Sequence, residues 1–197
     1  MTTAQALDDL RLRIQARYPL LFLRTFEEQR WEEELAELAL ELERGLVTWS
    51  VTSGPQPALS GNGHRPDPLE FLEQVEQYPP EHIFLLKDLH PFLSDPRVVR
   101  RLRDLLPVLA QQQKTLLAIG PVDDVPVELV KDVTVLELPL PGITEMREEL
   151  RRANDDRPGG PLEISEPQSE HMVKAVLGLT AHEAYKAFAR ALCDVET

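Results

Sequence analysis

The chain has 197 residues, 42% of them hydrophobic, and a formal net charge of -13. That length and hydrophobic content suffice for one α/β domain with a small appendage, and they argue against general disorder. An acidic surface repels phosphate backbones and anionic lipid headgroups, so we expect neither nucleic acid nor a membrane as partner. The single cysteine, Cys193, excludes an internal disulfide and fits a reducing cytoplasm, and we identify no targeting signal.

A lead-in helix is predicted first, because Leu7, Leu10 and Ile14 recur at helical spacing before Pro19. Short apolar segments then alternate with helical patterns. Strands are predicted at residues 18–25, 46–52, 82–88, 114–121 and 132–138. The helix over residues 26–44 carries apolar side chains at steps of three and four, and Gly45 follows it.

Proline residues mark the remaining boundaries in the first part of the chain. Residues 53–68 are rich in Pro and Gly and predict an exposed loop. Asp67-Pro68 and Asp95-Pro96 each predict the start of a helix, the second with Val98, Leu102, Leu105 and Leu109 on its apolar line.

The pattern becomes wholly helical after Pro141-Gly142. Three helices are predicted there, and Thr180 and Glu183 have the spacing of a capping box. We therefore expect two domains, an α/β core over residues 1–142 and a helical subdomain over residues 143–197. The alternation of strands and helices in the core predicts a parallel sheet covered by helices on both faces, a three-layer α/β/α architecture.

Several strings resemble the AAA-ATPase family. The sequence LLAIGPVDDVPVELVKDVTVLELPLPG is similar to the stretch of that family that ends in "elplP", IFLLKDLHPFL lies where the family has its Walker B strand, and GLTAHEAYKAFARAL looks like its lid helix. Together with RYPLLFLRTFEEQR and LVTWSVTSG, these strings resemble the N-terminal, degenerate AAA-like domain of a conserved AAA-family ATPase encoded in cyanobacterial and plastid genomes. The resemblance implies the strand order 5-1-4-3-2 and a lid-like role for the helical tail.

The residues that handle nucleotide in the family are replaced here. A P-loop needs glycines, a lysine and a hydroxyl residue to hold phosphate and Mg²⁺, whereas residues 25–30 read TFEEQR. By the resemblance, Lys87 stands where the metal-associated Asp of Walker B should be, and Asp88 where the catalytic Glu should be. The Gly120-Pro121 pair replaces the sensor Asn, and the arginine-finger segment is missing. We expect this chain to bind no ATP or Mg²⁺ and to hydrolyse nothing.

Two groups of residues are further candidates. Asp88 and His90 lie at the end of a predicted parallel strand and could form an acid-base or metal pair. The favoured reading is that Asp88 caps or orders the turn over residues 89–94, because no second pair of ligands can be located. Arg97, Arg100 and Arg101 concentrate positive charge on one helix, and they are read either as an interaction face or as an ordinary solvated surface. The other histidines, His64, His82, His171 and His182, lack metal-ligand spacing, so no metal site is predicted.

The functional expectation is a non-catalytic assembly or regulatory domain of a ring-forming AAA-family ATPase. Its partners would be a downstream AAA domain, which would carry the ATP and Mg²⁺ site, neighbouring subunits, or a regulatory protein. The alternatives are a stand-alone protein-binding adaptor with the same fold and, behind it, an enzyme built around Asp88 and His90.

Overall fold

The computed structural model describes residues 1–59 and 66–193. The chain divides into two compact units. One comprises Ala6–Leu138 and contains the sheet, and the other comprises Met1–Gln5 and the residues from Pro139 onward.

The α/β unit is built around one six-stranded sheet. Its strands are β1 (Leu20–Arg24), β2 (Leu46–Ser50), β3 (Gly54–Gln56), β4 (Ile83–Lys87), β5 (Thr115–Gly120) and β6 (Thr134–Glu137). Their spatial order is β3-β2-β4-β5-β1-β6. Five strands are parallel, and β3 pairs antiparallel with β2 at the edge.

The five predicted strands are confirmed, and their spatial order is the one that the resemblance implies. The expectation of a purely parallel, five-stranded sheet is wrong in one respect, because β3 lies in the segment predicted to be loop. Three residues, GPQ, are too few to show an alternating pattern, and Gly and Pro are depleted in strands. Pairing with β2 in the folded chain makes this segment a strand, with Pro55 opposite Trp49.

Helices cover both faces of the sheet, as the alternation predicted. On one face lie α1 (Thr3–Gln15) and α2 (Glu28–Glu41), which share a core with Leu21 and Leu23 of β1. On the other lie α3 (Pro68–Gln74) and α4 (Pro96–Gln111), which share a core with Leu20 and Phe22. Successive side chains of a strand point to opposite faces, so the side chains of β1 are buried on both faces of the sheet.

Local signals for the helix boundaries in this unit are also confirmed. Asp67 and Glu70 form a capping box at the start of α3, and the Asp95 carboxylate accepts a hydrogen bond from the Arg97 backbone N–H at the start of α4. Short 3₁₀ helices follow α3 at Val75–Gln77 and β4 at His90–Ser94.

The second unit is helical. It contains α5 (Ile143–Asp155), α6 (Glu166–Val176) and α7 (Ala181–Cys193), which bury Met146, Leu150 and Phe188 among others. The predicted capping box is confirmed, since Thr180 Oγ1 accepts from the Glu183 N–H and the Glu183 carboxylate accepts from the Thr180 N–H. Within residues 1–59 and 66–193, no helix is both long and apolar enough to span a bilayer.

Candidate functional site

The carboxyl ends of the parallel strands meet at one edge of the sheet, where open α/β sheets bind ligands. Arg24 at the end of β1 lies opposite Gly120 of β5 and Glu137 of β6. Lys87 ends β4 on the far side of β5. The strand order therefore brings together four segments that are far apart in sequence.

The segment after β1, where the resemblance places the P-loop, is held by its own side chains. Thr25 Oγ1 accepts a hydrogen bond from the Glu27 N–H at 3.0 Å. The Glu27 carboxylate is buried and forms an ion pair with Arg30, with Arg30 Nη2 2.8 Å from Glu27 Oε2. Phe26, which lies between Thr25 and Glu27 in the sequence, is exposed. Two carboxylates, Glu27 and Glu28, thus stand at the start of α2.

Lys87 forms ion pairs with α2. Its Nζ lies 2.5 Å from Glu32 Oε2 and 3.3 Å from Glu28 Oε1, and 22% of its side chain is exposed. Burial by itself would lower the pKa of Lys87, but the pairs with Glu32 and Glu28 outweigh it and raise the pKa above its ordinary value. Lys87, which the resemblance places at the Walker B position, is therefore a charged lysine neutralised from within the chain.

This arrangement does not fit a nucleoside triphosphate with Mg²⁺. A helix N-terminus binds phosphate through free backbone N–H groups and a positive environment. Here the N-terminus of α2 carries carboxylates, and the ammonium of Lys87 is already engaged by them. The ammonium of Lys87 also stands where the resemblance expects the metal-binding Asp, and a cation there would repel Mg²⁺.

A second ion-pair group lies at the same edge. Arg24 Nη2 is 2.8 Å from Glu137 Oε2, and Arg24 Nη1 is 3.5 Å from Asp123 Oδ2. The hydrogen bond and charge of Glu137, with the charge of Asp123, raise the pKa of Arg24. Neither this group nor the glutamate partners of Lys87 is predicted from the sequence. The spacing of Glu28 and Glu32, four apart on one helix face, was the only local signal, and nothing in it pointed to Lys87.

Asp88 and His90 are brought close without forming a hydrogen bond. His90 Nδ1 and Asp88 Oδ1 are 3.9 Å apart, which is too long. Asp88 adopts a left-handed backbone with φ of 49°, and the N-cap residue of the following 3₁₀ helix is Leu89, with no side-chain cap. The Asp88 carboxylate therefore does not cap this 3₁₀ helix. Gly120 lies against the pair, since a Cβ there would be 3.3 Å from His90 Nδ1.

The remaining histidines form no site in the part of the chain that the structure describes. His82, His171 and His182 belong to no group of three or more metal-ligating side chains among the described residues. His64 lies outside the described residues.

The arginines of α4 do not share one environment. Arg101 donates hydrogen bonds to the Leu72 carbonyl and to Glu76, and only 23% of its side chain is exposed. It therefore fastens α4 to α3. Arg97 is paired with Asp95, and Arg100 with Asp104, both at the exposed surface. Of the predicted face, Arg97 and Arg100 are therefore exposed, and each is paired with a carboxylate of its own segment.

A surface cavity of about 310 Å³ lies beside these arginines. Part of its wall is apolar, formed by Leu93, Pro96, Val99 and Pro126. Arg100, Arg103 and Glu128 also line it. The sequence analysis found the arginines but not the cavity, because the segment around Pro126 comes from beyond β5.

The fold and the strand-end geometry define a AAA-type α/β domain accompanied by a helical unit. The chain belongs to the SpoVK-like AAA ATPase family: residues 6–138 match the model of the family's N-terminal domain, and residues 144–197 match that of its second domain. The AAA domain-containing protein ycf46 of Guillardia theta is 31% identical over 186 residues. That alignment covers 92% of this chain but 36% of the relative, so the chain spans little more than a third of the relative's length.

Solved structures agree on the fold. Domain III of the replication initiation protein DnaA from Thermotoga maritima superposes with a TM-score of 0.58 at 15% identity, covering 98% of this chain and 84% of that one. A structure concerned with katanin self-assembly superposes with a TM-score of 0.52 at 14% identity, covering 86% of this chain and 55% of the other.

Proposed function

We propose that this chain is a non-catalytic assembly or regulatory domain of a AAA-family ATPase. The observation that supports it best is the ion-pair cluster of Lys87 with Glu28 and Glu32. Where the resemblance expects a phosphate-binding loop and a metal ligand, Glu28 and Lys87 form an ion pair with each other.

The cluster is self-sufficient, and this favours a structural role. Binding a triphosphate would require Lys87 to leave two carboxylates that would then face the incoming negative charge. Like charges at such distances repel strongly where water is partly excluded. The same rearrangement would leave Glu28 and Glu32 unneutralised four residues apart on α2, which is unfavourable in itself.

In this proposal, ATP hydrolysis is carried out by another domain of a longer parent protein. The ycf46 relative is more than twice as long as the aligned region, which leaves room for an intact AAA domain with ATP and Mg²⁺. The present domain would contact that domain, neighbouring subunits of a ring, or a regulatory protein in the cytoplasm. Katanin, which shares the fold, has a structure that concerns self-assembly, and this supports an assembly role without specifying the surface.

Nucleotide titration tests the proposal directly. Isothermal calorimetry of the 197-residue chain with ATP and Mg²⁺ should give no saturable heat, and a phosphate-release assay should give no turnover above buffer. A AAA protein with an intact P-loop serves as positive control. Saturable micromolar binding accompanied by turnover would overturn the proposal.

A paired variant separates the two parts of the argument. The Glu28→Gln/Glu32→Gln double variant frees Lys87 but restores neither glycines nor a metal ligand, so it too should bind no nucleotide. If the double variant gains tight ATP binding, the ion pairs alone block the site, and the domain is better described as an inhibited nucleotide-binding domain.

A further inference from the structure

The outer surface of α2 carries an acidic stripe, defined here as Glu33, Glu37 and Leu40. These residues recur at steps of four and three and are all exposed. Leu40 is 77% exposed. Within residues 1–59 and 66–193, neither Glu33 nor Glu37 has an ion-pair partner. Helix α2 as a whole contains six glutamates and one arginine.

The opposite charge lies on α4. This helix contains four arginines and one aspartate in a chain whose formal net charge is -13. Arg100, whose side chain is 67% exposed and pairs with Asp104, and Arg103 line the cavity described above, and we call this surface the basic cavity. Arg103 has no ion-pair partner among the described residues, and Val127, beside the cavity, is 82% exposed.

The two surfaces cannot meet within one molecule. Helix α2 packs on one face of the sheet and α4 on the other, so the acidic stripe and the basic cavity are separated by the sheet. A contact between them therefore joins two copies head to tail. Such a contact leaves one free surface of each kind on every pair, so it repeats until a ring closes or a filament forms.

We infer that the acidic stripe of one copy docks on the basic cavity of the next, with Leu40 entering the cavity between Arg100 and Arg103. This inference rests on the proposed assembly function and specifies its surface. The cavity has the size of a small binding pocket and an apolar wall, which suits an aliphatic side chain. The guanidinium groups at its rim match the carboxylates of Glu37 and Glu33, one and two turns away from Leu40.

A second copy is favoured over other occupants by charge. The chain supplies both halves of the match, an acidic helix with an exposed leucine and an arginine-rimmed apolar cavity. Two acidic stripes or two basic rims would repel each other, so a symmetric contact through either surface alone is disfavoured. Glu128 also lines the cavity and would repel the acidic stripe. Removing its charge should therefore strengthen the contact.

Sedimentation equilibrium of the chain over a range of concentrations is the decisive measurement. Wild type should self-associate, and added salt should weaken the association. Arg103→Glu should lower the association constant about tenfold or more, and so should Glu33→Lys/Glu37→Lys. Glu128→Gln should raise it. Leu40→Ala should lower it without changing its salt dependence.

Charge swap and matched controls make the result specific. A 1:1 mixture of the Arg103→Glu and Glu33→Lys/Glu37→Lys variants should associate again, because each mixed pair contains one wild-type contact. At exposed positions on α5, Arg151→Glu makes the same charge change as Arg103→Glu, and Glu148→Lys makes the change of each single reversal in the acidic stripe; both should behave as wild type. Circular dichroism of every variant confirms folding.

The inference fails if wild type stays monomeric at the highest concentration, or if association is insensitive to the reversals or responds equally to the α5 controls. It also fails if the chain stays monomeric while a leucine-containing acidic peptide binds the cavity. ATP turnover by this chain, by contrast, would contradict the proposed function whether or not the chain self-associates.

Discussion

Replacing Lys87 with methionine removes the ammonium group that neutralises Glu28 and Glu32 while keeping most of the side-chain volume. Exposed ion pairs contribute about 0.2–1 kcal/mol, whereas hydrogen bonds to charged groups contribute about 1.5–3 kcal/mol. The Lys87 side chain is 22% exposed, between these cases, and Glu32 Oε2 lies 2.5 Å from its Nζ. Repulsion between Glu28 and Glu32, no longer neutralised, adds roughly a few tenths of a kcal/mol to the loss. We expect about 1–2 kcal/mol less unfolding free energy near neutral pH, measured by urea unfolding.

A double-mutant cycle isolates the ion pair from the loss of the side chain. Glu32→Gln and the Lys87→Met/Glu32→Gln double variant should give a coupling free energy of about 1 kcal/mol. Lys131→Met is the matched control at an exposed position and should change stability by less than about 0.5 kcal/mol. A coupling energy near zero, or an equal loss in the control, would refute the reasoning about the cluster.

The pH dependence of the same variant gives an independent check. Burial opposes the charge of Lys87, but the pairs with Glu32 and Glu28 raise its pKa in the folded chain. The contribution of the cluster is therefore fully present below the pKa of an unfolded lysine and is lost as the pH rises through the folded pKa. Wild type and Lys87→Met should converge in stability at strongly alkaline pH.

Three further substitutions test the packing. Trp49→Ala should cost about 3–5 kcal/mol in urea unfolding, because the indole is fully buried among aromatic rings, and Trp49→Phe should cost clearly less. Lys114 is fully buried, which lowers its pKa; wild type should gain stability relative to Lys114→Met as the pH rises from the folded towards the unfolded lysine pKa, and an opposite slope would contradict this. Thr180→Ala removes the capping box with Glu183 and should cost about 1 kcal/mol in thermal unfolding, whereas Thr180→Ser should be nearly neutral.

Much of the fold follows from local patterns in the sequence. The apolar run at residues 82–88 predicts a strand, and the side chains of that strand, β4, are buried on both faces of the sheet. Trp31, on the predicted helix over residues 26–44, and Trp49, in the predicted strand over residues 46–52, are fully buried. Strand β3 was not predictable in this way, because its three residues have no preference for a strand and pair only once β2 is in place.

The candidate site was predictable only in outline. That Lys87 stands where a metal-associated Asp would be expected follows from the resemblance of the β4 segment. Its partners Glu28 and Glu32 are more than fifty residues away, on a helix covered by acidic residues that all look alike in sequence. The expected face of Arg97, Arg100 and Arg101 likewise changes once Arg101 is seen to bond to α3.

The sequence by itself determined the α/β alternation, the helical tail, the lack of glycine after the first strand, and the charge difference between α2 and α4. These depend on composition and on periodicities of two and 3.6 residues, which are local. Only the tertiary structure decided which carboxylates neutralise Lys87, that a cavity forms beside α4, and that α2 and α4 lie on opposite faces of the sheet. Those features arise where crossovers bring distant segments together, and no local pattern carries that information.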